Sequence, residues 1–135
     1  MSLTNNIWLS VYGVLSSDSA LSALTITRDE YPSGVRPSIN GDIHIGLKGG
    51  KIIRLLAASE LQQYNLKVGV STRGNSTFDT ACDVHKTIRE TLEPADYTLS
   101  GGDLIYCLAQ DLPMQEDSKP IDYVYVNYVM EIQVV

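Results

Sequence analysis

"IDYVYVNYVMEIQVV", residues Ile121 to Val135, is rich in Val, Ile and Tyr and contains neither Gly nor Pro. β-branched and aromatic side chains suit a pleated, half-buried surface, and side chains on a strand alternate between its two faces. Val124, Val126, Tyr128, Met130, Ile132 and Val134 therefore take one face, and Tyr123, Tyr125, Asn127, Val129, Glu131 and Gln133 the other. The first set predicts a face laid against a core. The second carries two tyrosines and a valine, more apolar than a solvated face needs.

A long strand needs partners, and the preceding sequence supplies candidates. In "YNLKVGVS", Tyr64, Leu66, Val68 and Val70 alternate with Asn65, Lys67 and Gly69, a strand with one buried face. "DIHIGLKGGKIIRLL" predicts a hairpin, with Ile43, Ile45 and Leu47 before a Gly49-Gly50 turn and Ile52 to Leu56 after it. "DYTLSGGDLIYCLAQDL" predicts a second strand pair around Gly101-Gly102, followed by the polar, Pro-bounded loop "PMQEDSKP". "LTITRDEY" reads as a brief strand, and "PSGVRPSINGD", Pro32 to Asp42, as a long loop with two Pro and two Gly. A loop of that length in a compact domain is usually functional or mobile.

Two segments take the helical period instead. Thr4 can cap a helix whose apolar positions are Ile7, Trp8, Val11, Val14 and Leu15, with Leu3 and Trp8 spaced as a hydrophobic staple. Leu9 and Tyr12 fall outside that stripe and face away from the expected core. "SSDSALSAL" reads as a short helical turn after it. In "GNSTFDTACDVHKTIRETLEP", Ser76 and Asp79 form an imperfect capping box, and Pro94 stops the helix after Glu93. Phe78, Ala81, Cys82, His85, Ile88 and Leu92 share its apolar stripe. The fold class is α+β: a mostly antiparallel β-sheet with two α-helices packed on one face, as a single domain over residues 1–135.

Composition narrows the function. A chain of 135 residues with 44% hydrophobic residues can bury one core. Sixteen Asp plus Glu against ten Lys plus Arg give a net charge of −6, so the overall field disfavours sequence-independent nucleic-acid binding. Two cysteines far apart, Cys82 and Cys107, suggest reduced thiols. Neither a secretion signal nor a membrane span is expected, which places the chain in the cytoplasm where it is made.

Cys82 and His85, three apart on a helix, are the pair that chemistry would use. A zinc site usually draws at least three protein ligands, and only Cys107, His44 and scattered carboxylates remain to complete one. A Cys-His nucleophile needs an exposed thiolate and an oxyanion hole, whereas this pair lies on or beside a buried stripe. The preferred reading is a core or interface histidine with one satisfied nitrogen and a small packing cysteine. The glycine pairs in "LKGGK" and "SGGD" lack phosphate-loop spacing, and Asp29-Glu30 and Glu116-Asp117 read as solvated loop charges. No catalytic, cofactor or metal set emerges.

The order of elements resembles the tail terminator, or tail completion, family of long-tailed bacteriophages. The resemblance runs over nearly the whole chain, through the N-terminal helix ending in "SDSALSAL", the "YPSGVRP" loop, the "IHIGL" strand, "YNLKVGVST" leading into "FDTACDVHKTIRETL", and the closing "YVYVNYVMEIQ" strand. "QDLPMQEDSKP" is acidic where many members carry a basic or aromatic turn. The resemblance implies a homo-hexameric ring in the virion, at the neck end of the tail, that caps the tail tube protein and meets the head-tail connector or head completion protein. DNA would pass through it without specific binding, and no catalysis, cofactor or membrane is implied. Residues expected at subunit or partner contacts are Leu9, Tyr12, Tyr31, Pro32, Val35, Arg36, Met114, Tyr123, Tyr125 and Val129, with the loops Pro32 to Asp42 and Asp111 to Pro120 docking on tube or connector. The alternatives are another phage neck or tail-tube component, or a small cytosolic ligand-binding or enzymatic α+β domain using His85 and Cys82.

Overall fold

The alternation of apolar residues along three strands builds one side of a sheet, and two amphipathic helices close over it. The structure is a computed structural model that describes residues 3–28, 41–55, 59–72, 77–116 and 122–134. Its elements are α1 (Leu3–Ser17), β1 (Thr25–Thr27), β2 (Asp42–Leu55), β3 (Glu60–Thr72), α2 (Thr77–Leu92), β4 (Asp103–Ala109), β5 (Met114–Gln115) and β6 (Asp122–Val134). The sheet order is β1-β2-β3-β6-β4, with β5 also pairing β6. Among these strands only the β1–β2 pair is parallel; the others are antiparallel. This is the expected α+β architecture. No helix among the described residues is long and apolar enough to cross a membrane.

Register aligns the apolar rows. Ile45 faces Val68 and Val68 faces Val126, while Ile43, Val70 and Val124 form the next rung. All six are buried. Ile7, Val11 and Leu15 of α1 and Ala81, Ile88 and Leu92 of α2 complete the same core. Each fully buried aliphatic side chain contributes roughly 1.5–3 kcal/mol by leaving water, so the single cluster anchors the fold. Asp18 shapes the chain as it leaves α1: its carboxylate accepts from the Ala20 amide at 2.9 Å, and its carbonyl accepts from Leu21 and Ser22, forming the expected turn.

Several local expectations give way. Gly49-Gly50 does not turn the chain: β2 is one strand of 14 residues, with a register shift between Leu47 and Gly50 where it pairs with β3. Gly49 adopts φ +104°, and a side chain on Gly50 would overlap the Gln63 carbonyl. The glycines make a bulge, which needs the same conformational freedom as a hairpin. The segment before Gly101-Gly102 is likewise not a strand, so β4 stands alone there, and Gly101 at φ +91° only redirects the chain into it. α1 begins at Leu3, which puts Thr4 inside the first turn instead of ahead of it. α2 ends at Leu92, with Glu93 adding one more helical hydrogen bond to the Arg89 carbonyl at 3.0 Å. The expected Ser76 cap and nearly all of the Pro32 to Asp42 loop lie outside the described residues, though Asp42 opens β2.

Candidate interaction site

His85 sits on the α2 face that packs on the sheet and is 2% exposed. Its Nε2 lies 2.8 Å from the Val124 carbonyl. A carbonyl only accepts, so Nε2 carries the proton, and in the neutral ring Nδ1 is left as an acceptor. Nδ1 is buried and has no hydrogen-bond partner among the described residues. Burial holds the imidazole below its usual range, against the opposing pull of the Val124 carbonyl and Asp111. One nitrogen is satisfied and the ring is interior, as the sequence suggests. Cys82 beside it is a half-buried thiol whose pKa is raised by burial and by Asp79 and Asp83, which opposes thiolate chemistry. Among the described residues no three His, Cys, Asp or Glu side chains come together in a metal-binding group.

What surrounds His85 is an open cleft of about 420 Å³ between α2, the segment after β4, and β6. Phe78, Cys82, Leu112, Pro113, Val126 and Tyr128 make it mainly apolar, and Lys86, Arg89 and Asp111 also line it. Its volume lies within the ~300–1,000 Å³ typical of ligand pockets. Phe78 and Leu112 put apolar surface at its mouth, 41% and 72% exposed. Phe78 is a departure from expectation, because it begins the apolar stripe of α2 yet stands open to solvent. Tyr128 lies at the buried side with its hydroxyl lacking a partner among the described residues. Asp111 is fixed, accepting from the backbone and side-chain nitrogens of Asn127 at 3.0 and 3.1 Å. The sequence signal for this cleft was the apolar pair Leu112-Pro113 interrupting a polar loop.

A second surface lies on α1. Leu9 and Tyr12 are exposed, at 43% and 39%. Tyr12 stacks on Trp8, with ring centroids 5.2 Å apart, and the Arg28 guanidinium caps Trp8 at 5.1 Å. Arg28 comes directly after β1, so this aromatic stack lies toward the β1 edge of the sheet. α1 has no charged side chain in its 15 residues.

The outer face of β6 is less open than its composition suggests. Tyr123 is fully buried, which corrects its expected role as an exposed contact. Its ring fills the space above Gly69, and Lys67 lies over both it and Tyr125, at 5.6 and 4.4 Å. Tyr125 and Val129 are half-buried, while Met114 is exposed on β5. Tyr31, Pro32, Val35 and Arg36 lie outside the described residues. On this same face His44 bridges three strands, with Nδ1 2.9 Å from Thr27 Oγ1 and Nε2 2.8 Å from Ser71 Oγ. The Ser-His contact has the geometry of a nucleophile pair, but Ser71, near the end of β3, is fully buried, so its hydroxyl is not open to a substrate. Its role is to satisfy buried polar groups.

The architecture can be placed beside known proteins. A chain from the structure "Virion of native gene transfer agent (GTA) particle" superposes with a TM-score of 0.71, at 18% identity, over 98% of this chain and 97% of that one. The fold is shared with a virion chain. No family model matches the sequence, and no curated protein matches it.

Proposed function

We propose that this chain is a structural protein of a phage-like virion and acts as a tail terminator, a homo-hexameric ring that caps the tail tube, ends its polymerisation and meets the head-tail connector. The observation that carries the reading is the shared fold with a chain of a gene transfer agent virion over essentially its full length. The surfaces support it. The exposed apolar side chains Leu9, Tyr12, Phe78, Leu112 and Met114 lie on α1, α2 and the β4–β5 segment, more than a single chain needs. Tyr and Phe serve interfaces that must be wet before assembly and dry after it.

The mechanism is steric and needs no bond chemistry. A ring built from heterologous contacts that close on themselves blocks one end of a tube without starting a filament of its own. The net charge of −6 per copy makes the ring's field repulsive toward passing DNA wherever those charges face the lumen. The test is depletion of the protein during tail assembly. Tails should then grow past their normal length or fail to join heads, and normal-length tails that still join heads would refute the reading.

A further inference from the structure

We infer that the cleft around His85 receives the Leu9–Tyr12 surface of a second copy of this chain, so that each subunit's α1 docks into its neighbour's α2–β4–β5 cleft. This rests on the ring reading above and specifies its contact.

The first argument is position. The aromatic stack on α1 is held by Arg28 at the β1 edge, and the cleft is walled by Leu112 and Pro113 just beyond β4, at the opposite edge. Four strand spacings of ~4.8 Å separate those edges, about 19 Å across the sheet. The other flank of α1 is bonded through Asn6 and Ser10 to the carbonyls of Ser100 and Thr98, ahead of β4, so Trp8 and Tyr12, on the flank held by Arg28, face away from the cleft of their own chain. Complementary features on opposite edges generate a head-to-tail series, which a suitable rotation closes into a ring.

The second argument is chemical complementarity. His85 is among the residues lining the cleft, and its Nδ1, an acceptor, is buried and unpartnered among the described residues. An unsatisfied buried polar group costs ~1–3 kcal/mol, and the Tyr12 hydroxyl brings a donor. Lys86 lines the cleft as a cation, as does Arg89, which Glu93 holds at 2.8 Å, and the face of Tyr12 turned away from Trp8 offers them a negative quadrupole. α1 itself carries no charge, so the ion that docking brings near the contact from this side is Arg28, already held over Trp8. The apolar walls Phe78, Leu112 and Pro113 match Leu9 in kind.

Cys82 lines the cleft and provides the test. Tyr12→Cys and, separately, Leu9→Cys are oxidised with copper phenanthroline at mildly alkaline pH in the otherwise full chain. Non-reducing electrophoresis should show a ladder of multimers that adding Cys82→Ser abolishes. Cys107 is fully buried and does not compete. A second measurement mixes Leu9→Lys, which has an intact cleft, with the doubly substituted Phe78→Asp and Leu112→Asp chain, which has an intact α1. Each alone should associate at least about tenfold more weakly than the parent, while the mixture should yield a one-to-one dimer by light scattering. Circular dichroism checks that each variant is folded. Rings without a Cys82-dependent ladder would overturn the contact and leave the ring reading standing. A ladder that stops at dimers would show a reciprocal two-fold contact and overturn the head-to-tail arrangement. No ladder and no dimer in the mixture would overturn the inference outright, whatever tail growth shows.

Discussion

The ring of Tyr123 occupies the volume that a side chain on Gly69 would need. The two residues lie on neighbouring strands, offset diagonally, since Tyr123 pairs with Ser71 and Gly69 with Tyr125. Cross-strand neighbours at that offset are within reach of an aromatic ring, and the missing Cβ lets Tyr123 lie down on the sheet instead of projecting from it. Gly69→Ala should force the ring off its seat and cost about 1–3 kcal/mol, the usual penalty for overpacking. In a Tyr123→Leu background the same change should cost much less. Urea midpoints of the four chains in this cycle decide it, and additive losses would show that the two residues do not share the space.

Acid should weaken the fold through His85. Burial lowers its folded-state pKa beneath the ordinary 6.5, so between those two values the unfolded chain binds the proton that the folded chain refuses. Stability is therefore fully present above 6.5, falls as pH drops through that value, and levels off below the folded pKa. His85→Gln should lower stability at neutral pH, by removing packing and the Val124 hydrogen bond, while flattening this part of the pH dependence. Denaturant midpoints as a function of pH for both chains are the check; parallel curves would assign the acid sensitivity elsewhere.

Leu9 and Tyr12 should matter little to the single chain. Leu9→Ser combined with Tyr12→Lys removes partly exposed surface and the stack on Trp8, for a loss of about 1 kcal/mol or less. Assembly into rings or onto tails should nonetheless fail. A drop of several kcal/mol in the thermal unfolding of the isolated chain would place these side chains in the core.

The bulge in β2 should tolerate no side chains. Gly50→Ala drives a Cβ into the Gln63 carbonyl, and Gly49→Ala sets an L-residue at φ +104°. Each should cost about 1–3 kcal/mol. Hydrogen exchange should report faster opening of Gln62 to Tyr64 than of the core residues Val68 and Val70.

Period-two and helical patterns made much of the architecture legible, because burial enforces them directly. The apolar row from Val124 to Ile132, the row from Leu66 to Val70, and the stripe containing Ala81, His85, Ile88 and Leu92 all face the core as written. The failures share a cause, namely that a distant partner decided the outcome. Whether Gly49-Gly50 turns or bulges depends on whether another strand continues alongside, and β3 does, back to Glu60, through the polar run "ELQQ" that carries no alternation of its own. Tyr123 lies on the outer face, but its exposure depends on a glycine 54 positions earlier in the chain. The cleft is assembled from α2, the β4–β5 segment and β6, and no local window of sequence contains all three.

β1 accompanies β2 only from Asp42 to His44. Beyond that point, among the described residues, the outer border of β2 has no strand beside it. Lys48, Lys51 and Arg54 all stand exposed along this stretch. Two copies attempting to zip their borders together would bring six cations into one row, and lysine-rich borders discourage such pairing. Along this stretch of β2, backbone-to-backbone growth of the amyloid kind is thus discouraged. Association is left to side-chain surfaces, whose shape can dictate how many copies join and when they stop.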